Sequence, residues 1–115
     1  MGNLGTSKEF IKGADVEWTE VGEGVKRKIL AYDEKIMLVK VNFDKGGVGP
    51  MHSHYHSQTT YVESGKFEVT IGKEIQILGA GDSFYIPPHI MHGAICLEGG
   101  ILIDVFSPIR EDFME

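Results

Sequence analysis

The chain has 115 residues, 42% hydrophobic and 24% charged, with 17 acidic against 11 basic side chains and a formal net charge of -6. That is the size of one compact soluble domain over 1–115, with no room for a second. The basic residues are scattered, with Lys26-Arg27-Lys28 no more than a brief run, which excludes a nucleic-acid or anionic-membrane footprint; no stretch approaches the roughly 20 apolar residues that span a bilayer.

The N-terminus lacks the apolar core of a secretory signal. Met1-Gly2 with Thr6 meets an N-myristoylation pattern in form only, a short string that often arises by chance. Cys96 is the one cysteine. It lies in the apolar run Ala94-Ile95-Cys96-Leu97, so it reads as a buried thiol in a reducing cytoplasm. A core of this size is modest, and a homodimer that buries more apolar surface is expected.

In chain order, short apolar or alternating runs read as strands over Val25 to Tyr32, Ile36 to Phe43, Thr59 to Glu63, Lys66 to Ile71, Glu74 to Leu78, Ser83 to Ile86, His92 to Leu97 and Ile101 to Phe106. Between them stand turn formers: Asp44-Lys45-Gly46-Gly47, Ser64-Gly65, Gly72-Lys73, Gly79-Ala80-Gly81-Asp82, Pro87-Pro88 and Glu98-Gly99-Gly100. In Lys66 to Ile71 the residues Phe67, Val69 and Ile71 alternate with Lys66, Glu68 and Thr70, so one face is buried and the other wetted. The pattern predicts an all-β sandwich or barrel. No helix of ordinary length is expected, although the first ten residues or the tail after Pro108 could hold a single turn.

The run Met51-His52-Ser53-His54-Tyr55-His56-Ser57-Gln58 holds three of the five histidines. His52 and His54 are two apart, so on extended chain their imidazoles share a face, the geometry for gripping one cation. His56 has the same parity, and a local argument would take it as a third ligand. An isolated pair of this kind is more often a chance surface cluster, but here it sits between Gly46-Gly47 and Gly65 at set intervals.

Those intervals resemble the cupin signatures. The first has the form glycine, five residues, HxH, three or four residues, Glu, six residues, glycine. It is matched over 46–65 by Gly46, His52, His54, Gln58 and Gly65, with Gln58 in place of the usual Glu. The second, over 81–92, is matched by Gly81, Pro87 and His92, with His89 where the family usually has Gly. The resemblance implies a cupin jelly-roll barrel, a double-stranded β-helix. It further implies that His52, His54, Gln58 and His92 converge on one divalent transition metal, Zn, Ni, Mn or Fe. His56 is then expected at a bend or near the site entrance, and His89 in a loop. Three imidazoles and an amide oxygen are all neutral, so the ion would keep its full charge and act as a stronger Lewis acid. Imidazole-rich sites suit Zn, Ni, Cu or Fe better than Mg or Ca.

The apolar run Ile101 to Phe106 carries a single carboxylate, Asp104, which shares a face with Phe106 and is costly to bury unless paired, hydrogen-bonded or protonated. One reading is a structural ion pair with Arg110. The tail Asp104-Val105-Phe106-Ser107-Pro108-Ile109-Arg110-Glu111-Asp112-Phe113, with the stretches around His52 and His92, resembles instead the small KdgF-type cupins of pectin degradation. That resemblance implies ring-opening of 4,5-unsaturated monouronates, released from pectin or alginate, to 4-deoxy-5-keto uronates. In that case Asp104 is the acid–base group, Arg110 a fork for the uronate carboxylate and Phe106 a flat wall for the sugar, with Tyr61 and Tyr85 as secondary hydroxyl contacts. Another cupin enzyme, a dioxygenase or sugar isomerase, and a non-catalytic module binding a sugar or small anion through the metal are the alternatives.

Overall fold

A computed structural model describes residues 5–114, so the Met1-Gly2 pattern lies outside the described residues. Eight strands follow one another: β1 (Thr19–Gly22), β2 (Val25–Tyr32), β3 (Met37–Phe43), β4 (Val48–His52), β5 (Ser57–Ile71), β6 (Glu74–Gly79), β7 (Ser83–Ile86) and β8 (His92–Ser107). Short 3-10 turns occupy Gly13–Asp15 and, in the tail where a single turn was expected, Glu111–Met114.

All the strand pairs are antiparallel, and β5 and β8 are long enough to serve two layers. Residues 101–107 of β8 pair with β3 on one side and with the first half of β5 on the other, and β2, β1 and β7 extend this layer. Residues 92–98 of β8 pair with the second half of β5, flanked by β4 and β6. Val25, Val39, Val41 and Phe43 from the first layer then pack on Phe67, Val69 and Cys96 from the second. The Phe43 and Phe67 rings meet edge to face at 5.2 Å. This is the jelly-roll sandwich expected.

Two boundaries differ from expectation. Ser64-Gly65 and Glu98-Gly99-Gly100 do not end strands; they lie opposite each other, and β5 and β8 bend together while the ladder runs on through Ser64 with Ile101 and Lys66 with Glu98. Gly65 has φ 85°, and a Cβ there or at Gly100 would run into the other strand's backbone, so only glycine permits the corner. The short strands β1 and β4 escape sequence patterning. The residues of β1 are all exposed. β4 contains Pro50, which cannot donate to a ladder and so is confined to an edge; β4 pairs with β8 alone.

Strand parity sets what faces inward. Met37, Val39, Val41 and Phe43 of β3 are all buried. On β2, Lys26 and Lys28 turn out over the Trp18 ring, which leaves Val25, Arg27 and Ile29 on the inner parity. Among the described residues no helix is long and apolar enough to cross a membrane.

Candidate metal centre

Pairing of β4 with β8 sets His52 directly opposite His92, with ring centroids 4.3 Å apart. His54, just past the end of β4, brings its ring to 4.8 Å from that of His92. One ring nitrogen of each histidine lies within 4.8 Å of the other two. The opposite nitrogens are tethered to backbone: His52 Nδ1 to Pro50 O at 2.8 Å, His92 Nδ1 to Ile90 O at 2.9 Å and His54 Nδ1 to His56 O at 3.2 Å. A carbonyl only accepts, so each Nδ1 carries the proton and each Nε2 offers a lone pair. His92 Nε2 is buried and has no hydrogen-bond partner among the described residues, a costly state unless something else takes its lone pair.

Gln58 completes the cluster through the register of β5 on β8, which places Gln58 beside Phe106 and Thr60 beside Asp104. Thr60 Oγ1 donates to Asp104 Oδ1 at 2.6 Å, and Gln58 Nε2 donates to Thr60 Oγ1 at 3.0 Å and more weakly to Asp104 Oδ1 at 3.4 Å. With its amide nitrogen so engaged, Gln58 turns Oε1 to His54 Nε2 at 3.0 Å. Two acceptors then face each other, an arrangement that a cation between them relieves. Burial, followed by the Arg110 charge, holds the His54 pKa below its ordinary value. Burial, with smaller contributions from repulsion by His52, His54 and Arg110, lowers that of His92 to about 4. Both rings are therefore neutral at pH 7, the form that ligates. Three imidazole nitrogens and an amide oxygen fit a divalent transition metal.

The other two histidines lie elsewhere. His56 occupies the bend before β5 and is 2% exposed. Its Nε2 faces Ile109 O at 3.1 Å and Glu111 Oε1 at 3.0 Å, while Tyr55 stacks on its ring and donates its hydroxyl to Glu111. It thus fastens the tail to the barrel. His89 is exposed in the loop before β8 with φ 68°, left-handed backbone that favours glycine. The family's glycine at that position has a steric reason, and His89 bears the strain in its place.

A cavity of about 350 Å³ opens beside the histidines, lined in part by His52, Gln58, His92, Asp104, Phe106 and Arg110. Burial pushes the Asp104 pKa up to about 6 despite the opposing help of Thr60, Arg110 and Gln58. The Asp104 to Arg110 ion pair does not form. Arg110, 8% exposed, instead gives its fork to Asp112, with Nε to Oδ1 at 3.0 Å and Nη2 to Oδ2 at 2.8 Å. Its guanidinium lies over the rings of Phe106 and Phe113.

Tyr61 and Tyr85 are a correction. They are 50% and 56% exposed and do not line the cavity. Both stand on the outward parity, between Thr60 and Val62 on β5 and between Phe84 and Ile86 on β7. Sequence reasoning missed Thr60 and Arg27, although their inward parity was readable once the strands were set.

Residues 39–106 match the model of the cupin domain family. The chain is 45% identical over 102 residues to the pectin degradation protein KdgF of Dickeya dadantii, covering 87% of this chain and 93% of that one. Among solved structures, an RmlC-like cupin from Shewanella frigidimarina is 50% identical with a TM-score of 0.91 over 94% of this chain and 97% of the other. KdgF from Halomonas sp. is 42% identical with a TM-score of 0.88 over 93% and 99%. With the fold, the spacing and the ligand cluster in agreement with these likenesses, the chain belongs to the cupin family, in its KdgF-like group.

Proposed function

We propose that the protein is a metal-dependent enzyme that opens the ring of 4,5-unsaturated monouronates from pectin or alginate, yielding 4-deoxy-5-keto uronates. The observation that carries this is Asp104: a carboxyl with a pKa raised to about 6, on the same inner face as Phe106 and one hydrogen bond from Gln58. The KdgF likeness supplies the substrate class.

The substrate is a hemiacetal whose ring oxygen also belongs to an enol ether. A divalent ion held by His52, His54, Gln58 and His92 supplies positive charge to stabilise oxygen anions in the cavity. Asp104, ionised in the main at pH 7, takes the proton of the anomeric hydroxyl. The C1 oxygen becomes an aldehyde as the C1 to ring-oxygen bond breaks, the ring oxygen leaves as an enolate, and Asp104 returns the proton to C4. No atom is gained or lost, so the step is an isomerisation. Thr60, donating to Asp104 Oδ1, orients the carboxyl, and Phe106 walls the sugar. Arg110, bound to Asp112, contributes a fixed positive charge.

In this reading the chain is one cupin domain acting in the cytoplasm on a small sugar acid, with Zn, Ni, Mn or Fe as the metal. It pairs as a homodimer through the outer face of the second layer, where Val48, Ile77 and Ile95 are 49%, 60% and 42% exposed and lie in register across the strands. The test is incubation of metal-loaded protein with a lyase digest of pectin or alginate, followed by ultraviolet absorbance. Loss of the enol-ether band is expected. A band that persists sinks the reading, and Fe-dependent oxygen uptake in its place would favour a dioxygenase.

A further inference from the structure

Arg27 is the one charged residue on the inner parity of β2, between buried Val25 and Ile29, which packs against the core. Its guanidinium lines the same cavity as His52, His92 and Asp104, from a strand separated from β8 by β3. It lies 3.6 Å from the centre of the Phe113 ring, which also stacks on Arg110 at 4.2 Å. The two cations differ in one respect. Arg110 has its fork filled by Asp112, whereas no acceptor lies within hydrogen-bond or ion-pair distance of the Arg27 side chain among the described residues. A half-buried guanidinium keeps five donors in a rigid, planar fork. Phe113 fixes the plane without satisfying a single N–H, so the fork is left to water or to a ligand.

We propose that Arg27 is a substrate-binding residue that receives the carboxylate of the sugar acid, the role the family resemblance gives to Arg110. Arg110 then acts through Phe113 and its own charge, as part of the wall that holds Arg27 flat. The assignment rests on the sugar-acid reading of this cavity. Burial and the nearby Arg110 both lower the Arg27 pKa, partly offset by Asp112. Asp112 is the carboxylate that opposes the charge of both guanidiniums, and an incoming carboxylate adds a second negative charge beside Arg27.

The test compares a saturated hexuronate with its methyl ester, neither of which carries the enol ether, by calorimetric titration of the metal-loaded protein. The wild type is expected to prefer the acid by tenfold or more, Arg27→Gln to lose that preference while binding the ester unchanged, and Arg27→Lys to keep part of it. An acid-to-ester ratio that is the same in wild type and Arg27→Gln overturns the proposal, as does an equal loss for both ligands, which would mark Arg27 as a packing residue. On the unsaturated uronate, Arg27→Gln should raise KM tenfold or more with kcat within about threefold. Wild-type protein that separates acid from ester through Arg27 yet leaves the enol-ether band intact would sink the ring-opening reading alone.

Discussion

The inner faces of the sandwich carry two different populations on the same strands. Toward the bend of β5 and β8, the inward positions are Val41, Phe43, Phe67, Val69 and Cys96, all at or below 9% exposure. Toward the other end, the inward positions are Gln58, Thr60, His92, Asp104 and Arg27. The first group needs nothing further, because apolar side chains are satisfied by contact alone. Among the described residues, the second includes a buried imidazole nitrogen without a partner, two acceptors face to face and a guanidinium with no protein acceptor. Stability resides at one end and incompleteness at the other, and incompleteness is what a ligand answers.

Substitutions should separate the two ends. Asp104→Asn is expected to lower turnover by about 10² to 10⁴, the range for loss of a general acid–base group, with metal content unchanged by elemental analysis. The same variant should match or exceed the wild type in denaturant unfolding at pH 7, since it removes a desolvated carboxylate. Phe67→Ala is the mirror image. It should cost about 3 to 5 kcal/mol in unfolding free energy and leave metal stoichiometry at one per chain below its melting temperature. An Asp104→Asn that unfolds the protein, or a Phe67→Ala that strips the metal first, would break the division.

Acid pH probes the same contrast. Asp104 has a folded pKa of about 6 against an ordinary 3.8, so its carboxylate costs stability above pH 6 and that cost fades as pH falls from about 6 to 4. In metal-free protein this group should add on the order of 3 kcal/mol over that interval, at 1.36 kcal/mol per unit, and Asp104→Asn should abolish the gain. Activity of the metal-loaded protein runs the other way, falling about tenfold per pH unit below the Asp104 pKa, which the charge of an ion beside Gln58 would set below its metal-free value. The smallest effect belongs to the outer face. Tyr61→Phe and Tyr85→Phe should leave turnover within about twofold, and a larger loss in initial rate would bring those hydroxyls back into the site.

The strands were legible where alternation was regular: β2 and β7 were expected with the bounds they have, and β3 and β6 to within a residue. The corners were not. Gly65 and Gly99-Gly100 look like breaks in one dimension, and only their position across from each other turns two breaks into one bend. The resemblance to the cupin motifs implied that His52, His54, Gln58 and His92 would gather, and the pairing of β4 and β5 with β8 brings them together. The cost of polarity in an apolar run marked Asp104. Arg27 escaped for the opposite reason: beside Lys26 and Lys28 it resembles ordinary surface charge, and only strand parity sets it apart. Arg110 was read as a free fork because its partner, Asp112, is two residues away in a tail with no periodicity to place it.

The three Nδ1 tethers to Pro50, His56 and Ile90 are bonds to backbone of residues only two positions away. Each imidazole is thus aimed by its own stretch of chain and not by contacts from distant strands. In the proposed site, a set of neutral donors would discriminate weakly by charge, and which transition ion it held would follow the supply of free metal.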